Sequence, residues 1–484
     1  MNDPGLLSAT ELTAALRRRD ISSRELLTYY LGRIDDDGGQ INAVVTIDEE
    51  AAYATAHAAD EALAHSAPTG PLCGLPMTVK DVLETAGMRT TAGAREYAGH
   101  IPDRDADAVA RLRDAGAVIF GKTNTAPYAM DFQTANPVFG LTRNPWDPDR
   151  TPGGSSGGPA AALAAGLTGF EIGSDLAGSI RQPAANCGVF GLKPSYGIVP
   201  VRGHIPGPPG TLATPPMSVL GPLGRAAADL ELGLGVLAGP ERAASVAWHL
   251  DLPAPVRAEL GELRIAACLT DPFAPPGHEV ARVLHDAVGR LRDAGANIDD
   301  TALPVSLADG FPLFQQILAG AASTFLPEPM MEQMRAIVAQ TDPADASPAV
   351  MWARAHLQSV GEWQQALERR AHVRARWAGF FRDYDALLCP ITLVPAMSHD
   401  PIPDPGMRTM VVDGTPLPYL PTQMIWPSVA SLADLPAAVA PVGLTAEGLP
   451  VGIQIIAALF RDRTAVRLAQ HVEMVIGRLA APAR

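Results

Sequence analysis

The chain has 484 residues, 47% of them apolar, which is enough to bury a large core in one big domain or two. Its formal net charge of −15 argues against a nucleic-acid surface. No run approaches the ~20 consecutive apolar residues of a membrane span, and Met1-Asn2-Asp3-Pro4-Gly5 lacks the basic and apolar regions of a signal peptide, so no membrane partner and a cytoplasmic setting are expected.

Two capping-box patterns open the chain. Ser8-Ala9-Thr10-Glu11 and Ser22-Ser23-Arg24-Glu25 predict amphipathic helices within about residues 8–35. The second places Leu26, Leu27, Tyr30, Leu31 and Ile34 on its apolar side, to pack on the body or on another copy of the chain, and a monomer or homodimer is expected. A short apolar strand, residues 75–81, ends at Lys80. Helix and strand then alternate: residues 106–115 and 117–121, 158–165 and 170–172, and a strand at 263–269 before a helix at 280–294. Alternation of this kind predicts the α/β class, with a large mixed, mostly parallel sheet between two layers of helices. Residues 308–381 read as a mainly helical insertion. Strands at 385–390, 436–442 and 452–456 and a helix at 464–476 complete a single predicted domain over residues 1–484. The proline-rich residues 206–216 read as a surface loop and not as a linker.

The most informative stretch runs from Thr151-Pro152-Gly153-Gly154-Ser155-Ser156-Gly157-Gly158 to Gly173-Ser174-Asp175-Leu176-Ala177-Gly178-Ser179-Ile180-Arg181. Glycines let backbone N–H groups turn toward an oxyanion and let a serine hydroxyl approach a substrate without a neighbouring Cβ in the way. Serine nucleophiles need a base. The chain has 34 arginines and three lysines, Lys80, Lys122 and Lys193, all flanking this stretch. Arginine stays charged in a protein, whereas a buried lysine can lose its proton near neutral pH. Lys122 and Lys193 read equally well as lysines left over in an arginine-rich chain. Lys80, at the end of an apolar strand, is where desolvation would depress a pKa.

Two literal motif matches fail on context. Gly116-Ala117-Val118-Ile119-Phe120-Gly121-Lys122-Thr123 fits the phosphate-loop pattern, but its middle reads as a buried strand and no helix opens at the lysine. Gly154-Ser155-Ser156-Gly157-Gly158 fits a nucleophile elbow with Ser156 at its centre, but a loop broken by Pro145, Pro148 and Pro152 precedes it where a strand is required. His285, His356, His372 and His471 fall inside helical patterns, and none is singled out as a base. Cys73, Cys187, Cys268 and Cys389 are too scattered for a disulfide framework or a zinc-ligand pair. Cys187 has no neighbouring base and reads as a small buried residue. No metal and no cofactor are expected.

Gly74-Leu75-Pro76-Met77-Thr78-Val79-Lys80-Asp81, the two glycine-serine segments, Cys187-Gly188-Val189-Phe190-Gly191-Leu192-Lys193-Pro194 and the tail Gly448-Leu449-Pro450-Val451-Gly452-Ile453-Gln454 together resemble the amidase signature family, in the same order and over nearly the whole chain. The resemblance implies its three-layer α/β/α fold and a small-molecule amide substrate. It implies Ser179 as nucleophile, Ser155 as a bridging serine after a cis peptide bond, Lys80 as base, and Ser156, Asp175 and Arg181 in support. The oxyanion would rest on backbone N–H groups of Leu176, Ala177, Gly178 and Ser179. Neutral Lys80 would take a proton from Ser155, Ser155 would take one from Ser179, and an acyl-enzyme would form and be hydrolysed.

Ala177, Pro159 and Asn186 depart from the commonest family pattern, and alanine at 177 works only outside the φ > 0 region. Family members wall the acyl pocket with the region equivalent to the helical insertion and the loop 128–133, so Tyr128, Met130, Phe132, Ile425 and Trp426 are candidate lining residues or ordinary core. Asp131 could recognise an amine or cap a turn. The expected function is a stand-alone amidase, with esters or carbamates also open. The alternative is the glutamine-dependent amidotransferase component that releases ammonia from glutamine and needs partner subunits. A silent binding scaffold is disfavoured by the intact Lys80, Ser155 and Ser179.

Overall fold

Both capping boxes form. In the computed structural model, which describes residues 3–65, 69–205, 208–323, 326, 328–345 and 347–482, Ser8 caps the helix Ala9–Arg18 and Ser22 caps the helix Ser23–Asp37. Each serine accepts from the backbone N–H three residues on, and the glutamate there reaches back to the serine's own N–H. Leu26, Leu27, Tyr30 and Leu31 join the main apolar core, with Ile34 against it, so these helices pack on the body.

Eight strands make the large sheet, in the order Asn297–Asp300, Arg264–Ala267, Ala386–Cys389, Pro450–Ala457, Ala437–Leu444, Phe190–Lys193, Val219–Gly224 and Glu171–Asp175. Along Ala437–Leu444 the side chains alternate between two cores. Ala438, Ala440 and Val442 meet the helices His278–Asp293 and Asp462–Ile476, and Val439 on the other face meets Ala184 and Ala185 of the helix Arg181–Cys187. The α/β/α sandwich is therefore the one expected.

The sheet is mixed, as expected, but it is not mostly parallel. Only the strands Asn297–Asp300, Arg264–Ala267 and Ala386–Cys389 run parallel, and every other neighbouring pair is antiparallel. The sequence reading took each helix for a crossover that starts a new parallel strand. Instead, Ala437–Leu444 and Pro450–Ala457 join directly as a hairpin, with Gly448 at φ +80° in its turn. Phe190–Lys193 and Val219–Gly224 are also connected without a helix between them among the described residues.

A second, three-stranded sheet orders Val44–Ile47, Val118–Thr123 and Pro76–Lys80, the last two parallel, and presents Lys80 at its end. The insertion forms the helices Leu307–Ala322, Glu328–Gln340, Pro348–His356 and Val360–Phe380. Phe311, Phe314, Ile317, Ala366 and Trp377 from it share an apolar cluster with the helix Tyr419–Leu432. Residues 208–216 form the expected surface loop, and residues 206 and 207 lie outside the described residues. Among the described residues no helix is long and apolar enough to cross a membrane.

Candidate active site

Lys80 is wholly buried where the small sheet meets the edge strand Glu171–Asp175 of the large one. Its Nζ lies 2.7 Å from Ser155 Oγ, 2.9 Å from Ser156 Oγ and 3.0 Å from Ser174 Oγ. Burial pushes its pKa well below the ordinary lysine value, with only the charges of Asp175 and Glu171 pulling the other way. Such an amine is poised to act uncharged.

The Gly154–Ser155 peptide bond is cis. Ser155 is wholly buried, and its carbonyl accepts from Thr125 Oγ1 at 3.0 Å. Ser156 N donates to Ser179 O at 3.1 Å, which lays the two serine segments side by side. Ser179 is 8% exposed and Ser155 0%, so only the former faces outward. Among the described residues no hydrogen bond joins the hydroxyls of Ser155 and Ser179.

The loop before Ser179 is built on Asp175. Its carboxylate accepts from Gly178 N at 2.9 Å, Ile180 N at 3.0 Å and Arg181 N at 3.3 Å, and pairs with Arg181 Nη2 at 2.8 Å. Burial works to raise the Asp175 carboxyl, but the Arg181 charge and these donors overcome it and bring it down to about 2. Arg181 also donates to Pro427 O, Gln454 Oε1 and Ser431 Oγ at 2.7, 2.6 and 2.9 Å. Of the four expected oxyanion donors, Gly178 is corrected: at φ +115° it folds back, and its N–H is committed to Asp175. The N–H groups of Leu176, Ala177 and Ser179 have no acceptor among the described residues. Ala177 has an ordinary φ, as its side chain requires.

The candidate pocket residues divide. Phe132 and Ile425 are buried in one apolar cluster with Ala177, and Leu176 packs against it. Trp426 belongs to that cluster as core: it is 1% exposed and its Nε1 donates to Ala274 O at 2.9 Å. Tyr128 and Met130 are not in it. The Tyr128 hydroxyl is taken by Glu96, its ring packs edge-on against Tyr97, and Met130 is 46% exposed. Asp131 caps the turn, accepting from Phe132 N, and is held by Arg408 at 2.7 Å and the Tyr419 hydroxyl at 3.0 Å.

Lys122 and Lys193 hold loops. Lys122 Nζ donates to Leu83 O and Thr85 Oγ1, and Lys193 Nζ to Pro194 O and Leu435 O. Burial lowers both to about 8. Cys187 is buried and its thiol pushed well above the ordinary range, which leaves it protonated. The sequence reading missed Ser174 and Glu171. Ser174 had a signal, since it lies between the quoted Gly173 and Asp175.

The sequence model of the amidase family, described as "Amidase", matches residues 25–466. The chain is 34% identical to a glutamyl-tRNA(Gln) amidotransferase subunit of Moorella thermoacetica, with 96% of each chain covered, and 33% identical to the same component of Roseiflexus sp., with 97% of this chain and 96% of the relative covered. Among solved structures, a chain from a vestigial protein complex bearing on the origins of an s-triazine catabolic enzyme matches with a TM-score of 0.81 and 29% identity, over 99% of this chain and 100% of the other. An amidase crystal structure matches with a TM-score of 0.79 and 29% identity, over 96% of this chain and 99% of the other. The chain belongs to the amidase family of carbon–nitrogen hydrolases.

Proposed function

We propose that the chain cleaves an amide bond with Ser179 as nucleophile, Ser155 as proton bridge and Lys80 as base. The observation that carries this reading is the wholly buried Lys80 Nζ at 2.7 Å from Ser155 Oγ, beside a loop with three uncommitted N–H groups. Neutral Lys80 takes the Ser155 proton as Ser155 takes that of Ser179, and Ser179 Oγ attacks the carbonyl carbon. The N–H groups of Leu176, Ala177 and Ser179 stabilise the oxyanion. The proton returns through Ser155 to the departing nitrogen, and water then hydrolyses the acyl-enzyme. The hydroxyls of Ser155 and Ser179, which share no hydrogen bond in this structure, come into contact with substrate bound, as catalytic hydrogen bonds commonly form only then.

For the substrate, the relatives' names favour the amidotransferase component over the stand-alone amidase: ammonia released from glutamine and passed on with partner subunits. One observation favours stand-alone hydrolysis of a less polar amide. Phe132, Ala177 and Ile425 make the neighbouring surface apolar, and the nearby charged pair Asp131–Arg408 is already neutralised within itself. Assay of the purified chain on glutamine and on a panel of simple amides, esters and carbamates separates the two. Ammonia from glutamine alone, raised by partner subunits, supports the first, and turnover of simple amides without partners the second. Ser179→Ala abolishes turnover in either case, and activity retained by that variant overturns the mechanism.

A further inference from the structure

Gln423, on the helix Tyr419–Leu432, is 6% exposed, and its side-chain oxygen has no hydrogen-bond partner among the described residues. The rest of the residue is held. Its backbone carbonyl accepts from Gln182 Nε2, and its own Nε2 points at Met397 Sδ, 3.6 Å away. A thioether can accept and cannot donate, which turns the carboxamide nitrogen toward the sulfur and leaves the buried Oε1 without a partner.

The residue belongs to the wall of the nucleophile loop. Gln182 N donates to Gly178 O at 2.8 Å, and a Cβ on Gly178 would stand 2.8 Å from Pro427 Cγ and 3.3 Å from Gln182 Nε2. Pro427 follows Gln423 by four residues, so the two share a helix face, and that face meets the loop carrying Ser179. The adjacent Met424 and Ile425 lie in the apolar cluster with Ala177 and Phe132. Buried acceptors without donors are rare in folded proteins, and small-molecule sites are characteristically apolar with a few placed polar groups.

Resting on the assignment of Ser179 as nucleophile, we propose that Gln423 Oε1 is a specificity-determining acceptor for an N–H or O–H group on the acyl part of the substrate. The preferred amide then has an apolar acyl chain carrying one donor.

The test uses hexanamide and hexanamides hydroxylated singly at carbons 2 to 6, assayed on the full chain. In the wild type the hydroxyl at one position raises kcat/KM over hexanamide by about ten- to a hundredfold, the scale of satisfying a buried acceptor. Gln423→Met, similar in length but without the acceptor, removes that preference. Gln423→Asn, which keeps the carboxamide one carbon short, weakens it and serves as the second variant. Each preference is a ratio of two substrates on one preparation, independent of the fraction folded. No hydroxyl preference in the wild type, or one that survives in Gln423→Met, overturns the inference. Ser179→Ala must remove turnover of every member of the panel. Failure of the nucleophile assignment therefore shows in that variant, and failure of the Gln423 assignment in the ratios.

Discussion

The Thr78 hydroxyl donates to Glu171 Oε1 at 2.5 Å, in a wholly buried pair two residues before Lys80 on the same strand. Burial raises the Glu171 carboxyl from 4.5 to about 8, against the opposing effect of that hydrogen bond. Between these values the folded chain keeps a proton that the unfolded chain has released, so this group's contribution to stability falls as pH rises through the window. Glu171→Gln cannot ionise. Its unfolding free energy should gain on the wild type steadily from pH 4.5 to 8, by a difference on the order of a few kcal/mol, read as a widening gap in thermal midpoint. A constant gap between the two proteins across that range refutes the buried acid.

Lys80→Met keeps the length of the side chain and removes the proposed base. We expect kcat/KM to fall by about 10²- to 10⁴-fold, the usual worth of a positioned acid–base group. In the wild type the rate should rise with pH as Lys80 loses its proton, with a midpoint well below the ordinary lysine value because of burial. A rising limb still present in Lys80→Met assigns the titration to another group.

Ser174→Ala removes one of the three hydroxyls around Lys80 Nζ. A hydroxyl that accepts from an ammonium favours the charged form, so its loss should move the rising limb to lower pH. A kcat decrease of up to about tenfold should accompany the shift, since neighbours that fix the geometry of a base contribute less than the base itself. The pH profile is the readout, because a purely structural role would leave its midpoint in place.

Gly178→Ala should be severe without touching a reacting atom. Gly178 has φ +115°, and an added Cβ would stand 2.8 Å from Pro427 Cγ, so the loop must shift. Loss of a single oxyanion donor costs about 3 kcal/mol, and we expect kcat to fall by at least about a hundredfold with a smaller change in KM. Steady-state kinetics with an acyl-enzyme burst assay separates this from a binding defect.

What is legible in the sequence follows the reach of each signal. Lys80 stood out because it ends an apolar strand, where burial lowers a lysine pKa, and the serine segments because glycine spacing is a local feature. The capping boxes of Ser8 and Ser22 are local too, and both formed. Strand direction in the large sheet was not legible, since a hairpin such as that at Gly448 and a helical crossover differ in pairing and hardly in periodicity. Trp426 and Ile425 are adjacent and equally apolar, and only packing distinguishes the tryptophan, tied to Ala274 O, as core. Gly178 was assigned to the oxyanion because its N–H is present in the motif. Its commitment to Asp175 depends on a turn that no motif records.

Arg181 joins the nucleophile loop to Pro427, Ser431 and Gln454 while its partner Asp175 holds that loop's backbone. A directed-evolution campaign that re-sculpts residues 423–431 therefore disturbs the Ser179 loop as well, because Arg181 ties Pro427 and Ser431 to the carboxylate on which that loop is built.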